Sequence, residues 1–290
     1  MTPVSSTPPG NEVVVGRGRR VSEADISMAA EAVAAAFVAA RRAARALAAY
    51  PGTPPADLAA AYAIQDCAIG LDGRAVAGWK VGRINPPHEA RLGTNRLAGP
   101  IFAGSVVEAG NGEVPAMPVF AGGFAAAEAE FVLHVAPGLT SALPQDDAAT
   151  LACLDEIRLG IEIASSPYPG INADGPLVTA SDFGNNAGLV LGPRLEGWRD
   201  LDLTAIAVRT QIDGETVGTA TAAAMLDGPY GAVRFLLANL AARGIDFGAG
   251  LWVSSGAITG VHPVAPGQAV LARFGNRGSV ACAIVAASGH

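Results

Sequence analysis

The sequence predicts an α+β protein in which a helical N-terminal part precedes a larger, strand-rich part of mixed topology. Three observations carry this. From Ser22 onward, Ile26, Val33, Phe37 and Leu47 recur near helical spacing. After Gly78 the texture changes to short apolar runs separated by Gly and Pro. Those runs do not alternate regularly with helices, which argues against a doubly wound sheet.

Residues 1–20 are rich in Pro, Ser and Gly and are expected to form a mobile tail. The helical region spans 21–77. Its first helix carries Arg41, Arg42 and Arg45 towards its end, where cations suit the helix dipole, and PGTPP at 51–55 stops it. A second helix is expected at roughly 56–70, with Gly73 just beyond it. From 78 to 290 the runs AGWKVG, GPIFAGSVV, EAEFVLHVA, EIRLGIEIA, AGLVLG, IAVRTQIDG, LWVSSGAITG, AVLARFG and SVACAIVAA are of strand length and rich in β-formers. Two helices are expected among them. One lies near 146–155. The other is GPYGAVRFLLANLAARG, with a stripe of Val233, Leu236, Leu237 and Leu240 and a stop at Gly244.

Half of the 290 residues are hydrophobic and 16% are charged, a globular rather than a disordered balance. The formal net charge of -7 argues against non-specific nucleic-acid binding, which needs clustered Lys and Arg. Cys67, Cys153 and Cys282 are odd in number and far apart, so they read as inert thiols rather than as a disulfide framework or a zinc site. The N-terminus lacks an apolar core of signal-peptide length, and no apolar run would span a bilayer; a cytoplasmic protein is the expectation.

The strongest chemical signal is EAEFVLHV. In a strand, Glu128 and Glu130 point to one face while Ala129, Phe131 and Leu133 point to the other. Two neighbouring carboxylates repel unless a cation sits between them, and a hard divalent ion prefers such oxygens. In EIRLGIEIA, Ile157, Leu159, Ile161 and Ile163 form one face and Glu156, Arg158, Gly160 and Glu162 the other. If the two strands are neighbours, Glu162 completes a three-carboxylate site. The competing reading is a pair of solvated sheet faces that carry Glu.

Several segments together resemble the 2-keto-4-pentenoate hydratases and 4-oxalocrotonate decarboxylases, a branch of the fumarylacetoacetate hydrolase superfamily. They are AYAIQD at 61–66, GWKVG at 78–82, EAEF at 128–131, GIEIASS at 160–166, AGLVLG at 187–192, FLLANLAARG at 235–244, and SSGAITG followed by VAPGQAVLARFGNRGSV. The resemblance covers about three quarters of the chain. It implies a fumarylacetoacetate hydrolase-like mixed β-roll with flanking helices, formed by 78–290 as the catalytic domain. It implies Mg²⁺ or Mn²⁺ on Glu128, Glu130 and Glu162, and a catalytic Lys80. The chain departs from the family pattern at Ser165-Ser166-Pro167, where Asp-Ser-Arg is usual, and at Asp182-Phe183-Gly184-Asn185, where Asp-Asn-Ala-Ser is usual.

The implied activity is hydration of a 2-hydroxy-2,4-dienoate or 2-oxo-enoate to a 4-hydroxy-2-oxo acid, in meta-cleavage catabolism of aromatic compounds. The alternatives are decarboxylation of a 2-oxo dicarboxylate and a non-catalytic role stabilising a pathway enzyme. Gly78 and Gly82 would let another group come close to Lys80, which between a metal and a substrate would move protons. Asp182 reads either as an Asx-type turn former or as a wall of the substrate pocket. Ser255 could offer its hydroxyl to the substrate or serve structure alone. His134 shares the face of the carboxylates but lies too far along for the metal, and His88 and His262 read as surface residues, so a hydrolase with a His base ranks lower. The long Ala-rich first helix, with more apolar surface than a lone helix should expose, points to a homo-oligomer.

Overall fold

The computed structural model describes residues 23–110, 112–139 and 142–289, so the expected tail at 1–20 lies outside the described residues. Helices α1 (Glu23–Arg42) and α2 (Leu58–Asp72) lead into β1 (Val76–Arg83). Then come α3 (His88–Leu92), β2 (Arg96–Phe102), β3 (Val106–Glu108) and β4 (Ala116–Val119). Two long strands, β5 (Phe124–Val135) and β6 (Leu154–Ser166), are separated by α4 (Asp147–Ala152). They are followed by α5 (Pro176–Ser181), β7 (Asn186–Arg194), β8 (Ala207–Ile212), β9 (Glu215–Thr221) and α6 (Gly228–Ala242). The chain closes with β10 (Leu251–Ser254), β11 (His262–Pro263), β12 (Ala269–Phe274) and β13 (Ser279–Ala286).

Local chemistry sets several of these boundaries. Asp57 accepts a hydrogen bond from the Ala60 amide at the start of α2, and Gly73 closes it in the left-handed conformation only glycine adopts cheaply. The first helix stops at Arg42, short of the expected Leu47, and Ala44 has a positive φ of 47°. The helix expected at 146–155 is shorter than read. Asp146 caps it through the Ala149 amide, but from Leu154 the alternating DEIRLGIEI pattern takes over as strand.

The strands form two mixed sheets. One runs β2-β1-β10-β5-β6-β7-β3 with β11 added on β5; the other runs β4-β13-β12-β8-β9. One face of β5 and β6 supplies Phe131, Leu133, Leu159 and Ile161 to a core that also takes Val270, Phe274 and Ile284 from the second sheet. Phe131 and Phe274 meet with ring centroids 5.5 Å apart. The α6 stripe of Val233, Leu236, Leu237 and Leu240 is fully buried in the same core. Each such side chain contributes about 1.5–3 kcal/mol, and this core is what fixes the alignment of β5 on β6. Helices α1 and α2 pack on one another and against Phe102 and Phe183 of the strand-rich part. Among the described residues no helix is long and apolar enough to cross a membrane. All three cysteines are free, and burial pushes the Cys282 thiol up to about 12.

Candidate metal centre

With one face of β5 and β6 committed to the core, the alternate side chains turn to the opposite face. The antiparallel register sets Glu128 directly across from Glu162, with Glu130 two residues further on, across from Gly160. One oxygen from each of the three carboxylates lies within 4.8 Å of the others. All three groups are buried, Glu130 and Glu162 completely. Lys80 reaches them from β1, whose parallel pairing with β10 sets Lys80 beside Ser254. Its Nζ lies 3.3 Å from Glu162 Oε2 and donates to Asn185 Oδ1 at 3.2 Å.

Glu130 and Glu162 are each held by one oxygen only. Glu130 Oε2 accepts from the Ser254 hydroxyl and, at 2.9 Å, from the Gly256 amide. Glu162 Oε1 accepts from Asn186 Nδ2 at 2.9 Å. Of the remaining oxygens, both buried, Glu162 Oε2 has only the Lys80 ammonium at 3.3 Å and Glu130 Oε1 has no partner. Buried carboxylate oxygens left bare are costly, so they mark a place where something else is meant to bond. Outer oxygens fixed by protein donors and inner oxygens free is how ligating carboxylates are oriented. The donor set is all oxygen and anionic, which fits a hard divalent cation such as Mg²⁺ or Mn²⁺.

The charges agree with that fit. Burial pushes the Glu128 carboxyl up to about 7; Glu162 adds to the rise and Lys80 opposes it. Glu130 is raised well above its ordinary value by burial and by its two carboxylate neighbours. Burial alone would lower the Lys80 ammonium, but Glu162, Glu128 and Glu130 outweigh it and hold it above the ordinary lysine value. One cation therefore faces three carboxylates. The three carboxylates favour Lys80 as the ammonium.

A cavity of about 790 Å³ opens from this cluster, lined by Lys80, Glu128, Asn185 and Ser255, and further out by Arg83 and His88. Ser255 Oγ is buried without a hydrogen-bond partner. Asp182 does not line the cavity. Its carboxylate is buried and engaged by Arg41 at 2.6 and 2.9 Å and by the Ser166 hydroxyl at 2.6 Å, so it is not a pocket wall. His88, read as a surface residue, lines the cavity instead. His134 is paired with Asp155 at 2.6 Å and stacked near Trp252, at the end of β5 away from the carboxylates. Sequence reasoning missed Ser254, Asn185, Asn186 and Arg41. The adjacent amides of Asn185-Asn186 in an otherwise apolar stretch were the one local signal available.

No family model matches the chain. It is 31% identical over 135 residues to a 4-oxalocrotonate decarboxylase of Pseudomonas putida, a match that covers 47% of this chain and 51% of that protein. It is 29% identical over 230 residues to a 2-keto-4-pentenoate hydratase of Burkholderia vietnamiensis, covering 78% and 86%. The chain thus spans about half the length of the decarboxylase it matches in sequence. In fold it is similar to the 4-oxalocrotonate decarboxylase of Pseudomonas putida G7 complexed with magnesium and adipate, with a TM-score of 0.74, 21% identity, and 92% of this chain and all of that one covered. A fumarylpyruvate hydrolase of Pseudomonas aeruginosa, in complex with Mn²⁺ and pyruvate, superposes with a TM-score of 0.53 at 17% identity, over 73% and 90%. In sequence the chain is thus similar to 2-keto-4-pentenoate hydratases and 4-oxalocrotonate decarboxylases, and its fold is the one they and the fumarylpyruvate hydrolase share.

Proposed function

We propose that this protein is a divalent-metal-dependent lyase acting on a small 2-oxo or 2-enol acid, and that the reaction is hydration of a 2-hydroxy-2,4-dienoate. The observation that carries the reading is the convergence of three buried carboxylates, with Glu130 Oε1 left without a partner, beside a cavity lined by Glu128 and Lys80. Glu128, Glu130 and Glu162 would hold Mg²⁺ or Mn²⁺, which when bound supplies Lewis acidity towards the substrate carboxylate and its 2-oxygen. The remaining work belongs to the chain. Ser255 offers its free hydroxyl to the substrate's oxygens and fixes its orientation. Lys80, held by Asn185, delivers a proton to the terminal carbon of the dienol and takes back the proton that the 2-hydroxyl gives up, so the net change is tautomerisation to the 2-oxo-3-enoate with Lys80 again an ammonium. A water then adds at the fourth carbon and a proton enters at the third, giving the 4-hydroxy-2-oxo acid. Lys80 is the group placed to carry that proton from the water oxygen.

Decarboxylation is the second reading, and a specific observation favours it: Arg83 and Arg96 line the cavity, where a second carboxylate would find a guanidinium. The two reactions separate in one experiment. With Mg²⁺ present, the protein should consume 2-hydroxypenta-2,4-dienoate, lost dienol absorbance matching 4-hydroxy-2-oxopentanoate formed. CO₂ release from an oxalocrotonate-type dicarboxylate, with the dienoate untouched, would replace hydration by decarboxylation. Inactivity on both would leave a stabilising partner role in place of catalysis. A cytoplasmic homo-oligomer is part of the proposal, the assembly resting on the apolar surface of the Ala-rich first helix; a monomeric mass by light scattering at micromolar concentration would reject it.

A further inference from the structure

We propose that Arg41, on the N-terminal helix, is a positioning residue for the metal centre: it clamps the turn 182–186, which holds Glu162 and Lys80 through Asn186 and Asn185. The proposal rests on the reading of Glu162 as a metal ligand. Arg41 is buried, and its guanidinium bonds reach residues more than a hundred positions away. Nε and Nη2 grip the Asp182 carboxylate, Nη1 donates to the Asn186 carbonyl at 3.0 Å, and Nη2 also reaches the Ser165 carbonyl at 3.2 Å. The guanidinium carbon lies over the rings of Phe120 and Phe183, at 5.3 and 4.9 Å from their centroids.

What the clamp holds is a segment that would not hold itself. Phe183, Gly184 and Asn185 are successive residues with φ of 55°, 59° and 58°. For the two with side chains this conformation costs about 1–2 kcal/mol each, and it persists only where the surroundings over-determine it. From that turn Asn185 presents Oδ1 to Lys80, its own amide nitrogen anchored on Asn172 Oδ1 at 2.9 Å. The next residue, Asn186, is gripped by Arg41 at its carbonyl and donates its side chain to Glu162. One guanidinium thus sits a single residue away from the partners of two site groups. A core-filling arginine would not need its fork directed at the carbonyl of the residue that holds Glu162.

The test uses the full-length protein and compares Arg41→Met/Asp182→Asn with Val33→Ala. The double variant removes both charges, so no lone buried charge remains to unfold the chain. Val33 is buried on the same helix, in the apolar cluster that includes Phe183, and makes none of these hydrogen bonds. Mn²⁺ binding is read from the loss of the free-ion paramagnetic resonance signal, and kcat and KM are measured on the dienoate. The double variant should bind Mn²⁺ about 10–100-fold more weakly, the usual cost of losing an outer partner of a ligand. Its kcat should fall more than its KM rises. Val33→Ala should lower the melting temperature and leave Mn²⁺ affinity unchanged. Asn186→Ala, which cuts the last link alone, should reproduce the Mn²⁺ loss. Wild-type Mn²⁺ affinity in either clamp variant overturns the proposal, as does an equal loss in Val33→Ala. A wild-type protein that binds Mn²⁺ but turns over neither acid removes the hydratase reading and leaves the Mn²⁺ comparison to decide Arg41. One that binds no Mn²⁺ overturns both.

Discussion

Stability and metal binding should be tied together through Glu128. Its carboxyl is pushed up to about 7 from an ordinary 4.5, burial being the main cause. The folded state therefore holds this proton more tightly than the unfolded chain does. Stability should fall as pH rises from about 4.5 through about 7, because ionising the group is harder in the fold than out of it. At 1.36 kcal/mol per pH unit, the full loss is on the order of 3 kcal/mol. For a chain of this size that corresponds to roughly 6–12 °C in melting temperature. Glu130 is raised for the same reason and adds in the same direction. The Lys80 contribution is constant over this range, since its folded value is raised and is lost only above the ordinary lysine pKa of 10.5. The assay is thermal unfolding of wild type and Glu128→Gln between pH 5 and 8, once with a chelator and once with saturating Mg²⁺. With chelator, the two should melt together near pH 5, and the Gln variant should be the more stable at pH 8. Mg²⁺ should reverse that order at pH 8, because the amide is the poorer ligand. Parallel curves across the range, or equal Mg²⁺ stabilisation of both proteins, would refute the reasoning.

Two further outcomes follow from the site. Lys80→Met should lower turnover by about 10²–10⁴-fold, while calorimetry shows Mg²⁺ affinity kept or tightened, because an ammonium has left the carboxylates; Lys80→Arg should rescue little, since a guanidinium does not give up its proton near neutral pH. Near-wild-type turnover in Lys80→Met would remove it from the mechanism. Ser255→Ala should raise KM by about tenfold with kcat largely kept, the worth of one hydrogen bond to a charged group, and should not lower the melting temperature, as its hydroxyl has no partner in the protein.

The parts of the site that were legible in the sequence are those carried by a local period. Alternation put Glu128 and Glu130 on one face and Glu162 on the polar face of its own strand, and glycines flagged Lys80. That β5 and β6 would be neighbours was a condition on the reading, and the structure supplies it. The groups that went unread are defined by pairings between distant segments. Ser254 matters because β10 lies parallel to β1, which no short window of sequence encodes. Arg41 sits where basic residues commonly flank a helix end, so a helix-dipole role accounted for it; only the three-dimensional path to Asp182 shows otherwise. Asp182 was left open between a turn former and a pocket wall, and its grip by Arg41 went unread because its neighbours adopt left-handed backbone that side-chain periodicity does not register.

The direct apposition of Glu128 and Glu162 has a consequence for how the chain finds its alignment. Like charges set opposite one another across a strand pair disfavour that pairing. Shifting β5 by one residue along β6 would separate them, yet it would also turn Phe131 and Leu133 out of the core. The hydrophobic ladder and the acidic face thus favour different alignments of the same two strands, and the ladder wins because it is longer and drier. A local conflict of this kind is frustration retained at the one place where the chain is meant to hold something it does not itself contain. A divalent ion present while the sheet zips would remove the conflict, making the aligned state the one in which both faces of β5 agree.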